Sequence, residues 1–134
     1  MLLLEPPTTI SEKVERLFRP VFESGPCQSS VCSAEDWRSF DLQLIHWERH
    51  PDELEEEGIA PPNGRAVSLI REVRNALQEL GVEPPLRIVP NCDGGAVFEW
   101  RDAPLLWLLE VERDGSLELS VFRAARLVTR YRLA

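Results

Sequence analysis

The second half of the chain alternates between apolar and polar positions. Ala96, Phe98 and Trp100 interleave with Val97, Glu99 and Arg101. That period of two predicts a half-buried strand, because successive strand side chains point to opposite faces. Asp102-Ala103-Pro104 breaks the pattern, and Leu105, Trp107, Leu109 and Val111 form a second alternating set. Leu117, Leu119 and Val121 make a third. A last strand is expected near Leu127 to Leu133, with Leu127, Tyr131 and Leu133 on one face and Arg126, Arg130 and Arg132 on the other. Leu86 and Ile88 before Pro90 add a short edge strand. Asp93-Gly94-Gly95 and Asp114-Gly115 are turn signals, since glycine takes positive φ without a Cβ clash. Asp114-Gly115 predicts a type I′ hairpin. Short connections make neighbouring strands antiparallel, so the sequence predicts a four- to five-stranded meander over about residues 86–133.

The first half changes period. Thr9 precedes Glu12 by three, a capping-box spacing, and Ile10, Val14, Leu17, Phe18 and Val21 follow at helical intervals until Pro20 disrupts them. Ser24-Gly25-Pro26 and Cys27 to Ser33 read as loop and polar connector. A second helix starts at Ser33 and Asp36, carries Trp37, Phe40, Leu44 and Trp47 as one apolar stripe, and closes between His50 and Pro51. Asp52 to Glu57 holds five carboxylates and no base. It is expected as a solvated loop, with an acidic docking surface as the alternative. The third helix, about Gly64 to Leu80, buries Val67, Ile70, Val73, Leu77 and Leu80; Gly81 stands at its C-cap and Pro84-Pro85 prevents continuation. Helices over about 9–80 and then strands predict an α+β fold, with about three N-terminal helices packed on the C-terminal sheet in a single domain, 1–134.

One strand departs from alternation. Leu105-Leu106-Trp107-Leu108-Leu109 is apolar on both faces, as in a strand buried on both sides. Three helices cover one face of such a sheet. The other face then exposes Leu106 and Leu108, with Val97 and Phe122. Burial of that face against another protein, most simply in a twofold homodimer, is expected. The competing arrangement wraps the first helix or the apolar Met1 to Leu4 over it. Arg123, Arg126, Arg130 and Arg132 make the last strand basic, either blunting an edge against aggregation or meeting acidic groups of a partner. The expected partner surface is therefore Leu106, Leu108, Phe122, Arg126, Arg130 and Arg132.

Composition narrows the classes. The 43% apolar content of 134 residues supports a real core. A formal net charge of -8 argues against a general nucleic-acid surface. Neither a basic n-region with a long apolar run nor a membrane span is evident, so no membrane partner is expected. Three cysteines, an odd number, disfavour a closed disulfide framework and fit a reducing cytoplasm. Lys13 is the sole lysine among fifteen Lys and Arg residues, a bias that fits a GC-rich bacterial genome.

Two constellations bear on chemistry. Cys27, Cys32, His46 and His50 are spaced C-x4-C-x13-H-x3-H, and thiolates with neutral imidazoles suit tetrahedral zinc. The segment resembles the zinc finger with two cysteine and two histidine ligands. It departs from it in a longer central run, in lacking a glycine hairpin between the cysteines, and in its acidic character. The resemblance implies a closed, structural zinc and no catalysis. Asp93, Glu99 and Arg101 loosely match the Asp…Glu-x-Lys set of metal-dependent nucleases, but arginine stays protonated and cannot serve as the base. Cys92, in the Asn91-Cys92-Asp93 turn, has no base beside it in sequence. The run Asp93-Gly94-Gly95-Ala96-Val97-Phe98-Glu99-Trp100 resembles a DGGxxxEW pattern of small uncharacterised bacterial proteins, which implies a strand-turn element and no activity.

These observations favour a non-enzymatic, cytoplasmic interaction protein, an accessory subunit of antitoxin-like or defence-assembly type, with no cofactor. A zinc-stabilised binding domain is the first alternative and a metal-dependent nuclease the second.

Overall fold

The computed structural model describes residues 9–18, 37–62, 64–102 and 104–133. Among the described residues, four helices precede a five-stranded antiparallel sheet, the α+β arrangement that the sequence pattern predicts. Helix α1, Ile10–Phe18, starts where Thr9 Oγ1 accepts the Glu12 N–H at 3.2 Å. It buries Ile10, Val14, Leu17 and Phe18. Val21, the polar connector, and the helix start at Ser33 and Asp36 lie outside the described residues. Helix α2, Arg38–Arg49, buries Phe40, Leu44 and Trp47, with Trp37 at its N-cap.

The acidic run corrects the expectation of a loop. It forms a six-residue helix, α3, Pro51–Glu56. Pro51 is pre-set for the first helical turn, and Asp52 and Glu53 stand at the positive end of its dipole. Its carboxylates remain exposed, while Leu54 packs against the core. Helix α4, Gly64–Glu79, ends as its glycine signal predicts. Gly81 takes φ 79, its N–H reaches the Gln78 carbonyl, and the Val82 N–H reaches that of Leu77. That pair of bonds is a Schellman cap.

The strands are β1 Arg87–Pro90, β2 Ala96–Asp102, β3 Leu105–Val111, β4 Leu117–Arg123 and β5 Arg126–Leu133, hydrogen-bonded in that order. Register aligns Ile88, Phe98, Leu109, Leu119 and Tyr131 in one row across the sheet. Trp100, Trp107 and Val121 form the next row on the same face. The helices pack here: Phe18 meets Trp100 edge-on at 5.8 Å, and Phe40 lies 4.9 Å from Phe98. One core cluster joins α1, α2 and α4 to this face.

Turns differ in how far sequence foretells them. At β1–β2, Asn91 Oδ1 accepts the N–H groups of Asp93 and Gly95 at 2.9 and 2.8 Å. A Cβ on Gly95 would stand 2.1 Å from the Val111 carbonyl oxygen, so the turn admits no side chain there. At β3–β4 only Gly115 takes positive φ, and the Glu112 N–H bonds to the Ser116 carbonyl. This is a longer hairpin closed by a left-handed glycine rather than the expected type I′ turn. The Asp114 carboxylate accepts the Ser116 N–H, which holds its pKa below the usual carboxylate range. The two-residue turn with both residues at positive φ is instead Ala124-Ala125, at 51° and 65°.

Strand β5 also corrects the expected facing. Val121 pairs with Thr129 but Phe122 pairs with Leu127, so Val128 is an extra residue. This bulge turns Leu127 away from Tyr131 and Leu133 and onto the face of Phe122.

Both strand tryptophans are in the core, at 3% and 2% exposure. Trp100 donates its indole N–H to the Glu83 carbonyl at 2.9 Å, whereas the buried Trp107 indole N–H has no partner among the described residues. Trp100→Ala and Trp107→Ala are each expected to cost about 3–5 kcal/mol in urea unfolding. Trp107→Phe should cost less than Trp100→Phe, because only the latter breaks an indole hydrogen bond. The reverse order would contradict this assignment of the two rings.

Candidate functional site

The other face of the sheet carries no described helix. Its side chains follow from the same register. Arg87, Glu99, Leu108, Ser120 and Arg130 form a central row. Toward the β2–β3 and β4–β5 turns, Arg101, Leu106, Phe122 and Leu127 form a second row. At the opposite end, Val89, Val97, Glu110, Glu118 and Arg132 form a third. This face is therefore apolar at one end and charged at the other.

At the apolar end lies an open groove of about 540 Å³. Leu105, Leu106, Leu108 and Phe122 line it, Pro104 stands at one hairpin and Ala124 and Ala125 at the other. Leu106, Leu108 and Phe122 are half-buried and Leu127 is exposed. Arg101 is the single charged residue among the lining residues named. Ala124 and Ala125 hold left-handed backbone, which costs an L-residue with a Cβ roughly 1–2 kcal/mol each. Asparagine and glycine relieve that cost in such turns. Here both alanines instead line the groove.

The arginines differ in how fully they are engaged. Glu99 is buried beneath Arg87, whose Nε donates to its Oε2 at 2.6 Å and whose pKa is raised by that bond. Arg101 reaches the same oxygen only at 3.8 Å, beyond hydrogen-bonding distance, and is 61% exposed. Arg130 pairs with Glu118 at 3.0 Å and donates to Ser120 Oγ at 3.3 Å. Arg132 bridges Glu118 and Glu112 at 3.2 and 3.1 Å, and the field of Glu112 raises its pKa. Arg126 stands opposite Arg123 at the end of the sheet, in the row of Leu105.

Of the residues expected from sequence as a partner surface, Leu106, Leu108, Phe122, Arg130 and Arg132 share this face, and Arg126 does not. The sequence pattern left Arg101, Leu127, Ala124 and Ala125 out of that surface. Alternation did assign Arg101 to the side of Val97 and Glu99. The bulge that redirects Leu127 and the Ala-Ala turn have no composition signal.

The histidine pair is elsewhere. His46 and His50, one turn apart at the end of α2, have ring centroids 4.9 Å apart. His46 Nε2 lies 2.6 Å from Glu53 Oε2 of α3. Cys27 and Cys32 lie outside the described residues. Among the described residues, no group of three or more His, Cys, Asp or Glu side chains is placed to hold a metal ion. Asp93 sits in the β1–β2 turn, bridged to Ala60, while Glu99 is held by Arg87 on the open face. Cys92 is an exposed free thiol at φ 74.

No described helix is long and apolar enough to cross a membrane. The chain matches no family model, no curated protein and no solved structure.

Proposed function

We propose that the protein is a non-enzymatic interaction module, an accessory subunit of a bacterial cytoplasmic assembly of antitoxin or defence type. The observation that carries this reading is the half-buried Leu106, Leu108 and Phe122 on the sheet face opposite the described helices. Covering them gains roughly 25 cal/mol per Å² of apolar surface removed from water. Contiguous apolar surface on a folded domain marks a site of contact. The main-chain groups of β3 are already paired on both sides, so side chains and not strand addition would make that contact.

A site-specific photocrosslinker tests this in the native host. Placed at Leu108, it should give a discrete protein adduct that Leu106→Glu abolishes. Placed at Leu42, which is 55% exposed on α2, it should give none of that adduct. Equal labelling from both positions would contradict the reading.

The His46–His50 placement favours a second reading, a domain stabilised by structural zinc held by Cys27, Cys32, His46 and His50. Two imidazoles one helical turn apart can share a metal ion. Purified protein should then carry near one zinc per chain, and a chelator should lower its melting temperature. Loss of the metal from His46→Ala plus His50→Ala supports this set; a metal-free protein unaffected by chelator contradicts it.

A further inference from the structure

The groove itself constrains what can fill it. We infer that its occupant is an amphipathic helix of another protein, presenting large apolar side chains to the groove and a carboxylate to Arg101. The inference rests on the reading of this face as a docking surface and names the chemistry of its partner.

Three observations lead there. First, the groove floor is Leu106, Leu108 and Phe122 and offers no free main-chain groups, because β3 and β4 are each paired on both sides. An extended peptide lying on this face would leave its own N–H and C=O groups without protein partners. A helix satisfies those groups internally and needs only an apolar stripe. Second, Arg101 has spare capacity. Its neighbour Glu99 is already bonded by Arg87 at 2.6 Å, and Arg101 approaches no closer than 3.8 Å. An exposed guanidinium at the edge of an apolar groove fits a carboxylate in bidentate fashion. Among the lining residues named there is no carboxylate to compete. Third, charge disfavours a second copy of this chain. Stacking this face on itself about a twofold axis along β3 sets Arg87 against Arg130 and Glu110 against Glu110. Such like-charge juxtapositions oppose association.

The Ala124-Ala125 turn adds an independent sign. Two alanines hold a backbone that glycine would hold more easily, and their side of the turn walls the groove. Strained residues persist where the surroundings use them. Ala125→Gly should therefore raise the melting temperature while weakening the groove's ligand.

Two synthetic helical peptides of identical length provide the test. Both carry leucines at i, i+3, i+4 and i+7; one flanks them with glutamates and the other with lysines. Binding is read by fluorescence anisotropy against the full chain. The glutamate peptide should bind at least tenfold more tightly than the lysine peptide, and this preference should shrink in high salt and reverse in Arg101→Glu. Leu106→Glu should abolish binding of both, and circular dichroism confirms that each variant stays folded. Equal affinity of the two peptides overturns the inference, as does a self-association that Leu106→Glu removes. If neither peptide binds while Leu106→Glu still abolishes the crosslink at Leu108, the face docks a partner of other chemistry and the inference alone fails. If Leu106→Glu alters neither measurement, the docking surface fails with it.

Discussion

A sheet has two faces, and the described helices of this chain cover one of them. The arrangement depends on the row Ile88, Phe98, Leu109, Leu119 and Tyr131 and the row Trp100, Trp107 and Val121, into which α1 and α2 insert Phe18 and Phe40. Side chains alternate strictly along a strand, so fixing these rows in the core fixes every other residue of β2, β3 and β4 on the opposite side. The surface of Leu106, Leu108 and Phe122 is thus a consequence of how the core is registered. A slip of one residue would turn Glu99, Glu110 and Glu118 onto the apolar core face, away from their arginine partners, and would turn Trp107 out of it, which is why register is strongly specified.

That constraint made much of the fold legible. Alternation located β2, β3 and β4, and Gly81 marked the end of α4 where the Schellman bonds form. The doubled apolar pattern of Leu105 to Leu109 marks the second face in the sequence itself. Features governed by backbone geometry were less visible. The acidic run of α3 looks like a loop by charge, yet Pro51 and the dipole-facing Asp52 and Glu53 suffice for a short helix. The Val128 bulge swaps the face of Leu127 without any glycine or proline to announce it. Ala124-Ala125 adopts the turn for which Asp114-Gly115 carries the composition signal.

The candidate site was legible in the same proportion. Its hydrophobic members follow from a period of two, which is a property of neighbours in sequence. Its electrostatic members depend on pairing across strands. Arg87 meets Glu99 from twelve residues away and thereby leaves Arg101 underemployed, and no local pattern encodes that competition. Arg130 and Arg132, by contrast, are drawn into pairs with Glu118 and Glu112. Equal formal charges thus differ in what they can offer an incoming group.

The central proposal is that the core lies on one face and that the other face, which no described helix covers, serves contact. Replacing Leu106, Leu108 and Phe122 together with threonine tests it most directly, because threonine keeps β-propensity while removing apolar area. Urea unfolding of this triple variant is the measurement. The account predicts a free energy of unfolding within about 1 kcal/mol of the parent, as for substitutions outside a packed core. A loss of several kcal/mol, comparable to emptying core positions, would show that this face is buried within the chain and would contradict the account.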